Sequence, residues 1–268
     1  MTTFSALHDG PTPLLLPNAW DVGSALAFVD AGFPAVGTTS FGVGAATGRP
    51  DGGRATRVTT RELVLRLAHL PVPVSADVED GFDDDPDTVA TYVRGLPVAG
   101  INLEDSTDGR LVETARHAAK VAAVVHACPD LFVNARVDTF WFDQHATLQA
   151  TVARALAYVD AGAGGIFVPF VPGVLTPADL HVLAREIPVP LNVLAMPGLS
   201  LAELGDLGVR RVSTGSLPYR AAVDSAVQVA AAVRDGLPVP AVTSYADMQE
   251  RLRRHAALSL RRTARRTR

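Results

Sequence analysis

The feature of this 268-residue chain that most constrains its fold is a regular alternation of short β-branched runs with longer helical stretches. Candidate strands lie at 13–17, 35–39, 73–77, 99–104, 131–136, 165–169, 189–194 and 210–214. Helical patterns follow them at 21–31, 59–70, 86–96, 109–127, 146–161, 176–186, 200–206 and 217–235. Neighbouring parallel strands need a long crossover between them, so this alternation predicts repeated βα units on a parallel sheet. Eight such units predict an α/β fold of the (β/α)8 TIM-barrel type. A doubly wound dinucleotide domain would instead need G-x-G-x-x-G opening a helix after its first strand, where the chain reads Asn18-Ala-Trp-Asp-Val-Gly23. A weak internal repeat agrees with the barrel: DAGFPAVGT (30–38), DAGAGGIFVP (160–169) and DLGVRRVSTG (206–215) each place glycine after a helix and before a strand. Glycine suits the left-handed residue that ends many helices.

Residues 1–242 are thus read as the barrel, and 243–268 as a C-terminal helix (Ser244 to Leu260) with an Arg-rich tail. An added helix on a barrel predicts a homo-oligomer, dimer or tetramer, joined through the C-terminal helices. Residues 249–268 carry eight arginines and one acid in a chain of net charge −4. A basic end of this kind is read as a solvated terminus or subunit contact rather than a nucleic-acid site. No apolar run approaches the roughly 18–20 residues of a membrane helix, and the first residues lack a basic-then-apolar signal. The expectation is a cytoplasmic protein without a membrane partner.

Of the 24 basic residues only Lys120 is lysine, and it sits in an Ala/Val-rich helical stretch. Schiff-base chemistry and a P-loop both need an ammonium group at the site, so both are disfavoured. The single cysteine, Cys128, cannot form an internal disulfide, and no Cys/His cluster has zinc spacing. The histidines fall in helices or near loops and termini, none at a strand end.

Barrel active sites are built from the loops that follow the strands. Polar residues converge there: Thr39-Ser40-Phe41 and Asp51 after the second strand, Asp77-Val-Glu79-Asp80 after the third, Glu104-Asp105 after the fourth, and Asn134-Ala-Arg136-Val-Asp138 at the fifth. Alternation along a strand would point Asp77 and Glu79 the same way, beside Glu104 of the next strand. Three clustered carboxylates are unfavourable without a cation, and Mg²⁺ suits a site of few direct carboxylates, further ones acting through water. Arg136 offers a planar fork for a substrate carboxylate. Asp83 to Asp85 before Pro86 read as a solvated helix cap, whereas Asp105 is either a ligand or a cap.

These residues resemble the isocitrate lyase/phosphoenolpyruvate mutase superfamily. The resemblance covers about residues 12–245 and rests on seven strings in order: LPNAWDVGSA (16–25), TTSF with GRPDG (38–41, 48–52), SADVEDGF (75–82), GINLEDS (100–106), VNARVD (133–138), FVPF (167–170) and PLNVLAMPG (190–198). It implies a barrel, commonly a tetramer with exchanged C-terminal helices, that binds Mg²⁺, with Mn²⁺ as an alternative, and a small 2-oxo or 2-hydroxy acid. By position it makes Asp77 the direct metal ligand, with Asp51, Glu79 and Glu104 on metal-bound water. Thr39-Ser40-Phe41 falls on the tripeptide that holds the substrate carboxylate and oxyanion, and Arg136 and Asn192 join the substrate contacts. Arg136, Ser40 and Glu104 are the expected catalytic groups.

The departures bear on the reaction. The superfamily's isocitrate and methylisocitrate lyases carry a Lys-Lys/Arg-Cys-Gly-His lid after the fourth strand, but here Glu104 is followed by Asp105-Ser-Thr-Asp-Gly-Arg110. The mutases' lid lysine and asparagine are absent too. Pro169 stands where mutase-like members have histidine, Glu79 replaces the usual Asp, and Ser40 replaces a glycine. The expected reaction is Mg²⁺-dependent C–C cleavage of a small oxo- or hydroxy-dicarboxylate, by retro-aldol or decarboxylation. The alternatives are P–C chemistry on phosphonopyruvate, with Arg110 standing in for the lysine, and an inactive oxo-acid-binding barrel.

Overall fold

The computed structural model describes residues 3–171 and 173–266, with side chains through Leu258. A 3-10 turn, Ser5–Asp9, precedes β1 (Leu14–Leu16), β2 (Asn18–Ala19), α1 (Val22–Asp30), β3 (Val36–Thr38), α2 (Ser40–Ala45), α3 (Arg57–Leu67), β4 (Val74–Asp77), α4 (Pro86–Arg94) and β5 (Gly100–Glu104). There follow β6 (Ser106–Thr107), β7 (Arg110–Leu111), α5 (Thr114–Ala127), β8 (Phe132–Arg136), α6 (Leu148–Asp160), β9 (Gly165–Phe167) and α7 (Pro177–Glu186). The chain ends with β10 (Leu191–Leu194), α8 (Leu201–Asp206), β11 (Val209–Ser213), α9 (Leu217–Arg234) and α10 (Tyr245–Arg266).

Nine parallel strands follow the order β1-β11-β10-β9-β8-β5-β4-β3-β2. β1 and β2 are the two halves of one barrel strand, parted at Pro17, which has no N–H for a ladder. One half pairs with β11 and the other with β3, so the sheet closes on itself as the expected eight-unit barrel. The repeat glycines behave as read: Gly32, Gly162 and Gly208 have φ of 87°, 99° and 94°, each just beyond the end of α1, α6 or α8. Asp85 caps α4, its carboxylate accepting from the Thr88 amide at 2.8 Å. Among the described residues no helix is long and apolar enough to cross a membrane.

Alternation on the strands separates two environments. Ala76, Ile101, Leu103, Val133, Ala135 and Ile166 face the helices and are fully or almost fully buried in the main apolar core. The alternate positions face the barrel axis and form a polar layer. There Asn134 donates to Asn102 (2.9 Å) and Asn192 (3.0 Å), and Arg211 donates to Asn102 (3.1 Å). Below it the N-terminal turn plugs the barrel: His8 stacks on Phe132 at 4.4 Å, and the Arg211 guanidinium lies 5.9 Å from the Phe4 ring.

Three elements depart from the sequence reading. The helix expected from residue 109 begins at Thr114, because Ser106–Thr107 and Arg110–Leu111 pair as an antiparallel hairpin. Asp108 and Gly109 at its turn both have positive φ (50° and 73°), the geometry a two-residue hairpin of matching twist requires. Residues 40–45, expected to be loop, form the short helix α2, capped by Thr39. The C-terminal helix begins at Tyr245 and runs to Arg266, past the expected end at Leu260, and lies on α1, with Arg251 and Arg254 on Asp30 at 2.8 and 3.2 Å. The side chains of the Arg-rich tail from Arg261 onward lie outside the described residues.

Candidate active site

The site residues meet where β3, β4, β5 and β8 end. Asp77 closes β4 and is almost buried; one carboxylate oxygen accepts from the Ser40 amide at 2.9 Å, and its own amide donates to the Thr38 hydroxyl at 2.8 Å. The Ser40 hydroxyl donates to Asp51 at 3.2 Å, so the first turn of α2 sits between two acids. Phe41 lies beside this turn with its ring edge-on to Tyr219.

Glu79 is held differently from the expectation. The strand ends at Asp77, and Glu79 adopts φ 47°, so strict alternation no longer sets its direction. Its carboxylate accepts from the amides of Arg54 (2.9 Å) and Thr56 (3.2 Å) and from the Thr56 hydroxyl (2.5 Å), which fastens the loop after α2 to the strand end. Beside it Asp80 takes the Arg54 guanidinium on both oxygens, at 2.9 and 3.1 Å from Nε, together with the Thr107 hydroxyl at 2.7 Å. Lys120 is buried behind this loop and donates to the Asp80 carbonyl at 2.8 Å, so the chain's one lysine supports the site from underneath.

Glu104 and Arg136 are register partners on β5 and β8, and their side chains meet at 2.6 Å. Arg136 also donates to Asp138 at 2.6 Å, and Trp141 and Phe167 place their ring centroids 5.6 and 5.7 Å from its guanidinium carbon. Two of its five donors are engaged by these acids, and the rest of the fork remains for a substrate anion. Asp138 accepts from Ser106 at 2.5 Å, and its amide donates to Asp105. The alternatives for Asp105 resolve into an internal anchor, bound by Arg154 at 2.6 Å and Tyr158 at 2.8 Å and fully buried. Asn192 lies in the polar layer of the barrel axis, 1% exposed and bonded to Asn134, Ser213 and the Arg211 carbonyl, below the cavity rather than on its wall.

Burial, with the Asp77 charge next, raises the proton affinity of Asp51. Burial also raises Glu79, although its hydrogen bonds from Thr56 oppose the shift. Glu104 is raised well above the carboxylate range by burial, and the charges of Asp138, Asp77 and Asp51 outweigh part of what Arg136 offsets. Asp80 shows the contrast: burial would raise it, yet Arg54, Thr107 and Lys120 together hold it below the usual range.

These shifts bear on whether a divalent cation fits. No three described Asp, Glu, His or Cys side chains are poised to hold one together. Asp51, Asp77 and Glu104 nevertheless place more negative charge around one cavity than Arg136 neutralises, and a hard cation would relieve the repulsion. The donor set therefore fits an ion with one direct carboxylate, Asp77, and with Asp51 and Glu104 reached through water. Glu79 fits such a set only from behind, because both of its oxygens hold the 54–56 loop.

The cavity has two lobes that share Ser40, Asp51, Arg136 and Trp141. One, of about 380 Å³, lies under the hairpin and is walled by Glu79, Asp80, Glu104, Ser106 and Thr107. The other, of about 570 Å³, runs toward β9, β10 and β11 and is walled largely by apolar side chains, with Asp77, Thr39 and Phe41 at the shared end. Sequence reading of strand ends did not single out Arg54, Thr56 and Trp141, which lie in loops, and it gave Asp138 no role. Asp138 did carry a signal, standing two residues beyond Arg136 on the same strand end.

The profile of the family described as phosphoenolpyruvate phosphomutase matches residues 4–234. The chain belongs to the phosphoenolpyruvate phosphomutase family. Within it, the chain is 52% identical over 250 residues to an uncharacterized protein of Mycobacterium tuberculosis, covering 93% of this chain and 96% of that one. It is 32% identical over 203 residues to a 2-methylisocitrate lyase of Bacillus subtilis, covering 70% and 64%. A structure of phosphonopyruvate hydrolase in complex with oxalate and Mg²⁺ superposes with a TM-score of 0.80 at 26% identity, covering 95% of this chain and 96% of that one. The family belongs to a superfamily of Mg²⁺-dependent C–C lyases and mutases, and this chain is one of its enzymes.

Proposed function

We propose that this protein is a Mg²⁺-dependent lyase that cleaves a C–C bond in a small 2-oxo or 2-hydroxy dicarboxylic acid, by retro-aldol cleavage or decarboxylation. The observation that carries the reading is the meeting of Asp77, Asp51 and Glu104 with Arg136 and Ser40 around one strand-end cavity. Asp77 would hold Mg²⁺, or Mn²⁺, with Asp51 and Glu104 on its water. Such an ion supplies Lewis acidity toward the oxygen that gains charge. Arg136, kept in one orientation by Glu104, Asp138 and two aromatic rings, binds the substrate carboxylate. The short helix α2 brings Thr39, Ser40 and Phe41 against the same end of the cavity, where Ser40 orients the reacting oxygens. Glu104, whose burial raises its proton affinity, accepts the proton of a 2-hydroxyl and returns one to the departing carbon.

P–C chemistry would need further cationic support for a phosphoryl group in transit. Arg54, the second guanidinium at the hairpin lobe, is engaged by Asp80 and Asp84, which favours the C–C reading. Assembly is proposed as a homo-oligomer through the C-terminal helices: Tyr245, Leu252 and Leu258 on α10 are 82%, 40% and 45% exposed, and the last barrel helix before it, α9, buries none of its own described residues.

The test is turnover by the purified protein with Mg²⁺ on oxaloacetate, substituted malates, methylisocitrate and phosphonopyruvate. Carbonyl product from one of the first three, lost on chelation, is expected. Phosphate release from phosphonopyruvate alone would replace the reading with the P–C alternative, and silence on the whole panel would sink it.

A further inference from the structure

The polar layer of the barrel axis contains a cation that no acid balances. Axis positions of such barrels are ordinarily filled by branched apolar side chains. Here Asn102, Asn134, Asn192 and Arg211 occupy them, each 5% exposed or less. The Arg211 guanidinium has no carboxylate partner among the described residues. Its Nη2 donates to Asn102 Oδ1 at 3.1 Å, its Nε donates to the Ser213 hydroxyl at 3.4 Å, and its Nη1 is buried without a partner. Burial lowers the guanidinium to about 9, opposed by the charge of Asp77, so it stays charged at neutral pH. A buried charge without a counter-ion is strongly destabilising, and an apolar side chain would fill the same space without that penalty.

The charge fixes the direction of one amide. Asn192 Nδ2 donates to the carbonyls of Val193 and Arg211, at 2.9 and 3.2 Å, which leaves its oxygen toward Asn134. Asn134 must therefore donate there, at 3.0 Å, and the same Nδ2 donates to Asn102 at 2.9 Å. Asn102 thus faces two donors, and a guanidinium can never accept. Its oxygen is turned inward. Its Nδ2, which makes no hydrogen bond among the described residues, is the edge presented to the larger lobe, which Asn102 lines beside Asp77, its register partner on β4.

We propose that Asn102 is a substrate-binding residue, its Nδ2 donating to an anionic oxygen of the bound oxo acid beside Asp77, and that Arg211 is the positioning residue that holds this amide with its donor edge toward the cavity. This rests on the reading of the cavity as an oxo-acid site. Asp51, Asp77 and Glu104 repel an anionic oxygen, whereas the amide meets it with a fixed donor. The guanidinium behind the amide adds a positive field from a depth that the substrate does not reach.

The experiment is calorimetric titration of oxalate into the full chain with saturating Mg²⁺, with urea denaturation in parallel. The variants are Asn102→Ala, Arg211→Met, Arg211→Gln, and Asn102→Ala combined with Arg211→Met. Asn102→Ala should weaken oxalate binding about tenfold or more, the loss of a hydrogen bond to a charged group. Arg211→Met should weaken it to a similar extent without lowering the urea midpoint, because it removes a buried unpaired charge. Arg211→Gln, which can still donate to Asn102, should bind oxalate within about threefold of the parent. The combined variant should bind no more weakly than Asn102→Ala alone, since Arg211 acts through the amide. Oxalate affinity within about threefold of the parent in Asn102→Ala overturns the proposal and leaves the oxo-acid reading standing. Losses that add in the combined variant, or a loss in Arg211→Met that comes with a lowered midpoint and is not relieved in Arg211→Gln, overturn the role of Arg211. A parent chain that binds no oxalate overturns the oxo-acid reading as well.

Discussion

The two lobes of the cavity share four residues and differ in how their walls are held. The hairpin side is fixed by directed bonds: Thr107 to Asp80, Ser106 to Asp138, and Gln144, which accepts from the Leu111 amide at 3.0 Å and donates to the Gly109 carbonyl at 2.8 Å. Arg154 reaches the Val112 carbonyl just beyond it. The opposite side is fixed by shape, with aromatic and aliphatic side chains on the segments that follow β9, β10 and β11. A polar wall anchored at many points keeps its groups in one geometry, as chemistry on a small charged core requires. An apolar wall is less directional and tolerates variation in what it encloses. The difference suggests that reaction type and substrate breadth are set on opposite sides of Arg136.

The severest test of that division is Asp77→Ala. It removes the proposed direct cation ligand at the shared end, and kcat/KM on the best substrate should fall on the order of 10³-fold or more, as removal of central electrostatic groups does. Activity within tenfold of the parent would place the chemistry elsewhere. Next is Arg136→Gln, which leaves Glu104 and Asp138 buried without their cation. Urea denaturation should show a loss of about 3–5 kcal/mol, partly recovered by adding Glu104→Gln. An unchanged midpoint would mean that the pair contributes nothing to the hairpin wall.

Acid should act first through buried imidazoles. Burial, then the charges of Lys120 and Arg154 behind the polar wall, lowers His117 to about 3. Burial, then the charge of Arg211, lowers His8 to about 4. Both are therefore neutral when folded and protonate near 6.5 when unfolded, so the unfolded state binds more protons below that pH. The contribution of these two histidines is full above about 6.5 and declines on acidification toward pH 4, by up to about 1.4 kcal/mol per pH unit for each, against the opposite trend of the raised carboxylates Glu104, Asp51 and Glu79. His117→Phe should reduce the slope between pH 6 and 4; an unaltered slope would remove His117 from this account. The smallest effect belongs to Gln144→Ala, which should cost about 1–3 kcal/mol locally and speed hydrogen exchange at residues 106–111. Met196→Ala, on the other wall, should leave exchange in the hairpin as it was.

Much of this was legible in the chain. Period-two runs with glycine and proline punctuation gave eight units, and strand ends gave Asp77, Glu104 and Arg136, because a barrel strand has only one end that can carry a site. The Asp108-Gly109 turn was also written in the sequence as a hairpin signal, but it is easily absorbed into the adjoining helical pattern of 114–127. The direction of Glu79 was not legible, since alternation ceases where β4 stops at Asp77 and a left-handed residue then turns the chain. Nor was the position of Asn192 below the cavity: one strand pattern serves both the polar axis layer and the site above it, and only height along the strand separates them.

The sequence by itself determined the barrel, the places where chemistry could sit and the family, because these depend on local periodicity and on short strings at strand ends. The tertiary structure decided which acids remain uncompensated, how Arg136 is shared among Glu104, Asp138 and a free edge, that Lys120 braces Asp80, and that the cavity divides into a polar and an apolar lobe. Those are properties of distances between segments far apart in the chain. They come into being when the barrel closes and brings the ends of different strands within hydrogen-bonding reach.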